Sequence, residues 1–331
     1  MPRLSEDALI ATIFAPLAGP GALRLEDDAA LLKVAAGDEL VLTKDMLVAG
    51  VHFFADDPPD MIARKALRVN LSDLAAKGAE PRGFLLGLGL PGDWQEDWLK
   101  AFAAGLGADA GTFAIPLLGG DTVRTPGPLT LSITAMGTVP EGKMIPRGGA
   151  KAGDHLFVTG TIGDAALGLK LRQNAESNRP WIGGLDETQA AYLRDRYLLP
   201  QPRVGLRQAL RAYAHAAMDI SDGFAGDLAK MLRLAGLTIE IGAGQVPLSE
   251  AARAALAAEP QCLSTILTGG DDYEILCAVP PEEKAGFAAS AAAAGIKVQE
   301  IGMCTPGREP VRIRDAKGEL LSFEAGSYQH F

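Results

Sequence analysis

The sequence has little of the chemistry on which disulfide-rich proteins and zinc proteins depend. It contains three cysteines and four histidines in 331 residues. Cys262, Cys277 and Cys304 are too few and too scattered for a disulfide framework, and no C-x-x-C pair offers a zinc site. We therefore expect the protein to work in a reducing compartment, namely the cytoplasm.

Basic runs and long apolar runs are also missing. The formal net charge is −10, and a nucleic-acid-binding protein usually presents a basic face. No apolar stretch approaches the ~20 residues that a membrane span needs. Glu6 and Asp7 stand where a signal peptide would be basic, so the first residues predict an amphipathic helix. We expect neither a nucleic-acid partner nor a membrane.

Several common catalytic and nucleotide-binding motifs do not occur. The chain has no H-E-x-x-H, no G-x-S-x-G and no Walker A sequence. The stretch "GLGLPG" at 87–92 matches G-x-G-x-x-G, but its first two glycines fall inside an apolar run. A dinucleotide site needs its glycines after the strand, at the start of a helix. A nucleotide would therefore have to be held in another way.

The composition that remains is that of a globular protein with 48% hydrophobic and 22% charged residues. Its length and a Gly-, Pro- and charge-rich stretch at 141–154 predict two domains, 1–145 and 146–331. The sequence of the first domain predicts a mixed sheet, with a largely buried strand at 38–47 and a strand at 113–118. It also predicts a helix at 93–111 capped by Asp93. The second domain alternates strand and helix, with a strand predicted at 273–279 and a helix at 223–236 whose Phe224, Leu228, Met231 and Ala235 share one face. The expected fold class is therefore α/β (α+β).

Aspartates recur at the ends of predicted elements: Asp27 with Asp28, Asp45, Asp73, Asp121, Asp219 with Asp222, and Asp271 with Asp272. A single aspartate of this kind is usually a solvated turn or a helix N-cap. Asp45 and Asp219 follow apolar strands, however, and loops at strand ends are where α/β sites form. Carboxylate oxygens suit Mg²⁺ or Mn²⁺, and Mg²⁺ held by few carboxylates also binds phosphates. We expect these aspartates to hold metal, and the metal to hold phosphate.

Other residues keep two interpretations. The pairs Gly119–Gly120 and Gly269–Gly270 allow either the close approach of a ligand or a tight turn. Arg147 either grips a phosphate with its fork of donors or is a surface arginine. His52, taken alone, favours a structural role over a functional one.

Several longer motifs follow one another in a specific order: "EDDAALL", "LTKDMLVAGVHF", "KALRVNLSDLAAKGAEP", "LLGGDT", "MDISDGFAGDL" and "GGDDYEIL". With them the chain resembles, nearly end to end, the thiamine-monophosphate kinase family of the aminoimidazole-ribonucleotide-synthetase-like superfamily. The resemblance implies an N-terminal domain that binds ATP and Mg²⁺ and dimerises through its mixed sheet, and a C-terminal α/β domain. It also implies ATP-dependent phosphorylation of thiamine monophosphate to thiamine diphosphate, by in-line transfer assisted by several Mg²⁺ ions, in a cytoplasmic homodimer.

The resemblance further implies roles for individual residues. The metal positions are Asp28, Thr43, Asp45, Asp73, Asp121, Asp219 and Asp222. The ATP contacts are Gly120, Asp121, Arg147 and Ser221, and the substrate contacts are His52, Asp271 and Phe323. No residue is expected to act as a strict acid or base, because a phosphate with a second pKa near ~6 is mostly dianionic at pH 7.

The sequence departs from the family pattern at three positions. Lys44 stands where a small hydroxyl residue is usual, Glu26 replaces the glycine before Asp27 and Asp28, and Asp271 replaces a glutamate. Lys44 either supplies part of a metal's charge, contacts a phosphate or points to solvent. We expect activity to survive with altered metal dependence. The alternatives are another ATP-dependent synthetase of the superfamily, or a catalytically silent protein that binds nucleotide or thiamine phosphate.

Overall fold

The chain divides into two units between residues 74 and 79 and again at residue 145. The computed structural model describes residues 5–173, 179–323 and 326–328. The first unit comprises the described residues up to Leu74 together with Ala79–Met144, and the second comprises Ala75–Gly78 and the described residues from Ile145 onwards. Across these ranges we find no helix with the length and apolar character that crossing a membrane requires.

The first unit contains four strands and three α-helices among its described residues. The strands are β1 (Asp38–Val48), β2 (Glu80–Leu90), β3 (Leu117–Arg124) and β4 (Thr130–Pro140). The helices are α1 (Glu6–Leu9), α2 (Pro59–Ala76, whose last residues belong to the second unit) and α3 (Glu96–Thr112). The expected N-terminal helix is present only as short turns, since α1 continues as a π-helix at Ile10–Phe14 and 3₁₀ turns at Ala15–Leu17 and Pro20–Leu25.

The four strands form one mixed sheet, as expected for this unit. Its order is β1-β4-β2-β3, with antiparallel pairing except between β2 and β3, which run parallel. Helices α2 and α3 are joined by a buried ion pair between Arg68 and Asp109, whose Nε and Oδ2 atoms lie 2.5 Å apart. The first two glycines of "GLGLPG" lie inside β2, as the apolar run predicts.

Strand β1 is far less buried than predicted. Only Val41 and Leu47 are buried, whereas the side chains of Leu40, Leu42 and Met46 are 43%, 61% and 53% exposed. The prediction was wrong because β1 lies at the edge of the sheet and carries apolar residues on both faces. Such a run looks the same in sequence whether one face or both faces are covered.

Two boundaries also differ from the prediction. The strand predicted at 113–118 begins only at Leu117 and continues through both glycines to Arg124. A Cβ atom at Gly120 would lie 1.9 Å from the carbonyl oxygen of Leu86 in β2, so the glycine belongs to the strand pairing itself. Helix α3 begins at Glu96 after Gln95, so Asp93 does not cap it.

The second unit alternates strands and helices, as predicted. Its strands are β5 (His155–Thr159), β6 (Ala216–Asp219), β7 (Leu237–Thr238), β8 (Glu240–Gly242), β9 (Ile275–Val279), β10 (Val298–Met303), β11 (Thr305–Pro306) and β12 (Arg312–Arg314). Its helices are α4 (Asp164–Gln173), α5 (Pro180–Gly183), α6 (Glu187–Leu198), α7 (Arg207–Tyr213), α8 (Phe224–Ala235), α9 (Glu250–Ala258), α10 (Cys262–Thr268) and α11 (Lys284–Ala293). Short 3₁₀ turns lie at Val204–Leu206, Ala243–Gln245 and Pro281–Glu283.

Three strands of the main sheet of this unit, β5, β6 and β9, are buried along almost their whole length. Its order is β10-β5-β9-β6 and every pairing in it is antiparallel. Along β9, Leu276 and Ala278 belong to one core cluster, while Ile275, Cys277 and Val279 belong to another. A strand that is covered on both sides is apolar throughout, which is why its sequence carries no alternation.

Candidate active site

Three of the predicted metal positions lie on the side of the first sheet that faces helix α2. The hydroxyl of Thr43 donates a hydrogen bond of 2.5 Å to Oδ2 of Asp73. The backbone N–H of Asp45 donates to Oδ1 of Asn70 at 3.1 Å. Residues 43 and 45 share one face of β1 because side chains alternate along a strand. The structure therefore brings Thr43, Asp45 and Asp73 together.

The remaining predicted positions of this unit line a cavity on the opposite side of the sheet. Lys44 pairs through β4 with Leu85, and Asp121 pairs with Gly87, so both side chains point to the same face. They line a cavity of about 800 Å³ together with Asp27, Asp28 and Gly120. The cavity thus combines an ammonium with several carboxylates, and the sheet separates this group from Thr43, Asp45 and Asp73.

The expectation that these aspartates lie at element ends was wrong for most of the first unit. Asp45 lies inside β1, Asp121 inside β3, and Asp73 inside α2 rather than at a helix start. Alternation explains Asp45 and Asp121, because a polar residue in the middle of a strand can face the opposite side from its apolar neighbours. Sequence reasoning assigned the change in polarity to the end of the element.

His52 has hydrogen-bond partners of its own in the turn after β1. Its Nδ1 accepts a hydrogen bond of 3.1 Å from the backbone N–H of Val48, and its carbonyl oxygen accepts one from Nζ of Lys65 at 3.1 Å. An accepting Nδ1 leaves the proton of the neutral ring on Nε2. These contacts agree with a structural role for His52. In this tautomer Nε2 is the ring atom that can donate a hydrogen bond.

In the second unit, strand β6 delivers Asp219 and the next turn carries Ser221 and Asp222, as predicted. Asp219 is buried, whereas the side chain of Asp222 is 40% exposed. Gly223 ends the turn with φ at +128°, and a Cβ atom there would lie 2.4 Å from the carbonyl oxygen of Thr268. This turn leads directly into helix α8.

The "GGDDYE" loop packs against this turn and brings Asp271 beside Ser221. The N–H of Asp271 donates to the carbonyl oxygen of Ser221 at 2.9 Å. A Cβ atom at Gly270 would lie 2.3 Å from the same oxygen. Asp271 and Tyr273 both have left-handed backbone conformations, with φ at +71° and +50°. Gly270 therefore allows two segments of this chain to approach each other closely.

The residues that follow Asp271 in the chain form a buried polar cluster. Asp272 is fully buried, its Oδ2 accepts from the N–H of Gly163 at 2.8 Å, and its Oδ1 has no hydrogen-bond partner within the described residues. Burial raises the pKa of the Asp272 carboxyl well above its usual value, which favours the protonated form. Glu274, also fully buried, binds Arg196 at 2.9 Å and Nε of Arg203 at 2.6 Å.

The second unit contains two further predicted ligand contacts, Arg147 and Phe323, which are distant in sequence from these turns. Arg147 is exposed, shortly after the start of the unit. Phe323 is partly buried and packs against the larger of the two core clusters. The structure gives Arg147 the exposure that an anion contact needs, and it leaves Phe323 partly accessible.

Sequence reasoning missed two residues of helix α8 that contact the Ser221 turn, namely Asp227 and Lys230. Asp227 is 1% exposed and Lys230 forms ion pairs with both Asp222 and Asp227. Their signal in the sequence is a second aspartate in the first turn of α8, followed three residues later by a lysine on the same helix face.

The donor set suits a magnesium ion in its chemistry. The predicted positions offer carboxylate and hydroxyl oxygens, the ligands that Mg²⁺ prefers. Among the residues that the structure describes, no group of three or more His, Cys, Asp or Glu side chains is arranged to hold a metal ion. The residue types therefore fit the ion, and a phosphate would have to supply further ligands.

The cysteines do not offer a nucleophile. Cys262, Cys277 and Cys304 are free and buried. Burial raises the pKa of the Cys262 thiol to about 11 and that of Cys304 to about 12. Burial also raises the pKa of Cys277. The reactive thiolate is therefore scarce at neutral pH in each of them.

Comparison with known proteins agrees with this two-unit architecture. The family described as AIR synthase related protein, N-terminal domain, matches residues 26–139, and its C-terminal counterpart matches residues 151–314. Among curated proteins, the thiamine-monophosphate kinase of Caulobacter vibrioides is 47% identical over 298 residues, which are 88% of this chain and 82% of that protein.

Solved structures give the same result. A crystal structure of thiamine-monophosphate kinase from Stenotrophomonas maltophilia has a TM-score of 0.80 and 39% identity, over 90% of this chain and 91% of that one. A structure described as AaThiL complexed with AMPPCP and TMP has a TM-score of 0.77 and 29% identity, over 100% and 99% of the two chains. The chain therefore belongs to the thiamine-monophosphate kinase family of enzymes.

Proposed function

We propose that this chain transfers the γ-phosphoryl group of ATP to the phosphate of thiamine monophosphate, giving thiamine diphosphate and ADP. The observation that carries the proposal is the 47% identity to a thiamine-monophosphate kinase over 88% of the chain. The likeness to a structure that contains AMPPCP, an ATP analogue, together with TMP supports the same pair of substrates.

Transfer of a phosphoryl group to a phosphate depends more on the positioning of the two substrates than on proton transfer. The accepting phosphate is mostly dianionic at pH 7, so it needs no strong base to become a nucleophile. The barrier arises from bringing two highly charged phosphates into line, which positioning and opposite charge reduce. A site rich in aspartate with few histidines is consistent with direct in-line transfer.

The aspartates would hold several Mg²⁺ ions in this proposal. Thr43, Asp45 and Asp73 would share ligation on the α2 side of the sheet, where Thr43 already contacts Asp73. Asp28 and Asp121 would contribute from the cavity side, and Asp219 and Asp222 from the second unit. When bound, Mg²⁺ supplies positive charge that stabilises the phosphate oxygens in the transition state.

Ligand contacts are assigned to the residues that remain. Gly120, Asp121, Arg147 and Ser221 would contact ATP, with the guanidinium of Arg147 binding phosphate oxygens. His52, Asp271 and Phe323 would contact thiamine monophosphate. His52 would donate from Nε2, since Nδ1 already accepts from Val48, and Phe323 would stack its exposed side on the thiamine rings.

We further propose a homodimer that forms through the exposed face of the first sheet. Leu42 and Met46 of β1 and Val123 of β3 present 61%, 53% and 52% of their side chains to solvent. Apolar surface of this kind on a sheet face favours a second copy of the same face, because isologous dimers bury matching patches.

The acidic charge and the free cysteines favour a cytoplasmic protein without a nucleic-acid partner.

The test is to follow the label from γ-phosphate-labelled ATP. The purified protein is incubated with labelled ATP, Mg²⁺ and thiamine monophosphate, and the products are separated by chromatography. We expect the label in thiamine diphosphate, and no turnover with a formylglycinamidine ribonucleotide. Turnover of the ribonucleotide instead would assign the chain to the synthetase branch, and binding of both ligands without label transfer would contradict enzymatic function.

A further inference from the structure

The turn that carries Ser221 and Asp222 is held by two side chains of helix α8. Oδ2 of Asp227 accepts hydrogen bonds from the backbone N–H groups of Ser221 and Asp222, at 3.1 Å and 3.0 Å. Oδ1 of Asp227 accepts from Nζ of Lys230 at 3.0 Å, and Lys230 also donates to Oδ2 of Asp222 at 2.6 Å. Asp227 therefore fixes the backbone of the turn, and Lys230 fixes the side chain of Asp222.

These contacts do more than cap the helix. Helix α8 begins at Phe224, whereas the N–H groups that Asp227 accepts belong to Ser221 and Asp222, before the helix starts. A carboxylate that is 1% exposed is unfavourable unless charge and hydrogen bonds compensate it. Since both of its oxygens are used on the turn and on Lys230, the buried charge serves the conformation of the turn.

The placement of the ammonium is consistent with such a role. Nζ of Lys230 lies 2.6 Å from Oδ2 of Asp222 and 3.0 Å from Oδ1 of Asp227. The positive charge therefore lies between the two carboxylates and compensates the repulsion between them.

We propose that Asp227 and Lys230 form a clamp that positions Ser221 and Asp222, and that Lys230 is a resident cation which a divalent ion displaces from the Asp222 carboxylate. The inference rests on the proposed function, because it takes Asp222 as a metal ligand and Ser221 as an ATP contact. Both clamp residues are positioning residues, since neither is required to touch a substrate.

The two halves of the clamp have opposite expected effects on metal binding. Loss of the Lys230 ammonium leaves the Asp222 carboxylate without its competing cation, so a divalent ion binds more tightly. Loss of the Asp227 charge releases the backbone of the turn, so the metal and ATP both bind more weakly. A purely structural role would lower stability in both variants without this difference in sign.

The first experiment measures Mn²⁺ binding to the full chain by calorimetry in the absence of nucleotide. We expect Lys230→Met to lower the dissociation constant about fivefold, the size that a partly exposed ion pair can supply. Lys230→Arg should stay close to the unchanged protein. The matched control is Lys100→Met, which removes an exposed ion pair of 2.7 Å with Glu96 in helix α3 and should leave Mn²⁺ binding unchanged.

A double-substitution cycle assigns the effect to Asp222. In an Asp222→Asn background, Lys230→Met should no longer alter Mn²⁺ binding, because the carboxylate for which the two cations compete is gone. The clamp is wrong if Lys230→Met behaves like Lys100→Met, or if it has the same effect in both backgrounds. These outcomes do not require catalysis, so they remain decisive if the chain fails to phosphorylate thiamine monophosphate.

The second experiment uses steady-state kinetics on Asp227→Asn. We expect the KM for ATP to rise about tenfold, with a smaller change in the KM for thiamine monophosphate, because the turn carries the proposed ATP contact. A fall in kcat with both KM values unchanged would indicate only a loss of folded protein and would overturn the positioning role.

Discussion

Lys44 places an ammonium group in the cavity that also presents the carboxylates of Asp27, Asp28 and Asp121. A phosphate that enters an acidic cavity meets repulsion unless a cation reverses the sign. A lysine at this position can supply such charge without a metal. The sequence resemblance implies a small hydroxyl residue at this position, so we expect this chain to differ from that pattern in its metal dependence.

We predict that Lys44→Thr raises the KM for ATP about three- to tenfold, the loss expected for one charge-assisted hydrogen bond that is partly exposed to solvent. The Mg²⁺ concentration at half-maximal rate should fall, because the ammonium no longer repels the ion. Kinetics at varied Mg²⁺ measure both, with Lys143→Thr, an exposed lysine after β4, as the control. An unchanged KM and an unchanged Mg²⁺ requirement would show that Lys44 points to solvent.

Asp272 predicts a specific dependence of stability on pH. Its pKa is raised in the folded state by burial. The unfolded state therefore gives up the proton first as pH rises, so this group stabilises the fold least at high pH. We predict that Asp272→Asn becomes progressively more stable than the unchanged protein as pH rises from about 4, the ordinary carboxyl range, to 8.

Urea unfolding at several pH values measures this difference. Asp195→Asn on the exposed side of helix α6 is the control and should show no such trend. A free energy of unfolding that differs between the Asp272→Asn variant and the unchanged protein by the same amount at every pH would contradict the protonated state of Asp272.

At the scale of elements, the sequence predicts best where burial is complete. Strand β9 is buried at every position, and its run of apolar residues between polar segments identified it without ambiguity. Helix α8 was also predicted, because Phe224, Leu228 and Met231 repeat at helical spacing and all three are buried. In these cases one pattern of polarity corresponds to one structure.

Prediction from the sequence fails where one residue pattern is compatible with more than one structure. In β1 the apolar residues Leu40, Leu42 and Met46 look like core residues, yet they face solvent in the single chain. In β3 the two glycines look like a turn, yet Gly120 permits the close pairing with Leu86. Sequence periodicity reports that a face is apolar, and it does not report which molecule covers it.

The exposed face of β1 leads to a prediction about assembly. Leu42→Glu places a carboxylate where a second copy would bury it without a partner, which should cost ~3 kcal/mol and weaken a dimer more than ~100-fold. Light scattering after size exclusion should therefore give a dimer for the unchanged protein and a monomer for the variant. Leu234→Glu, at a leucine that is 61% exposed on helix α8, should leave the dimer intact. A monomeric unchanged protein would contradict the proposed interface.

At the scale of the whole molecule, the residue types of the site could be predicted but their grouping could not. The spacing of aspartates predicted oxygen ligands, and the structure brings Thr43 to Asp73 and Asp271 to Ser221. The sheet, however, separates Asp121 from Asp45, which depends on strand register. Register and long-range pairing are properties of the folded sheet, and no local pattern contains them.

The most direct test of metal-assisted phosphoryl transfer is the yield of thiamine diphosphate from ATP, Mg²⁺ and thiamine monophosphate, measured with and without EDTA. We predict one thiamine diphosphate for each ADP, no product in EDTA, and a rate at least ~100-fold lower in Asp45→Asn, because a ligand of the charge-stabilising ion is lost. Product that forms equally well in EDTA, or an Asp45→Asn variant with full activity, would contradict a site in which aspartates hold metal and metal holds phosphate.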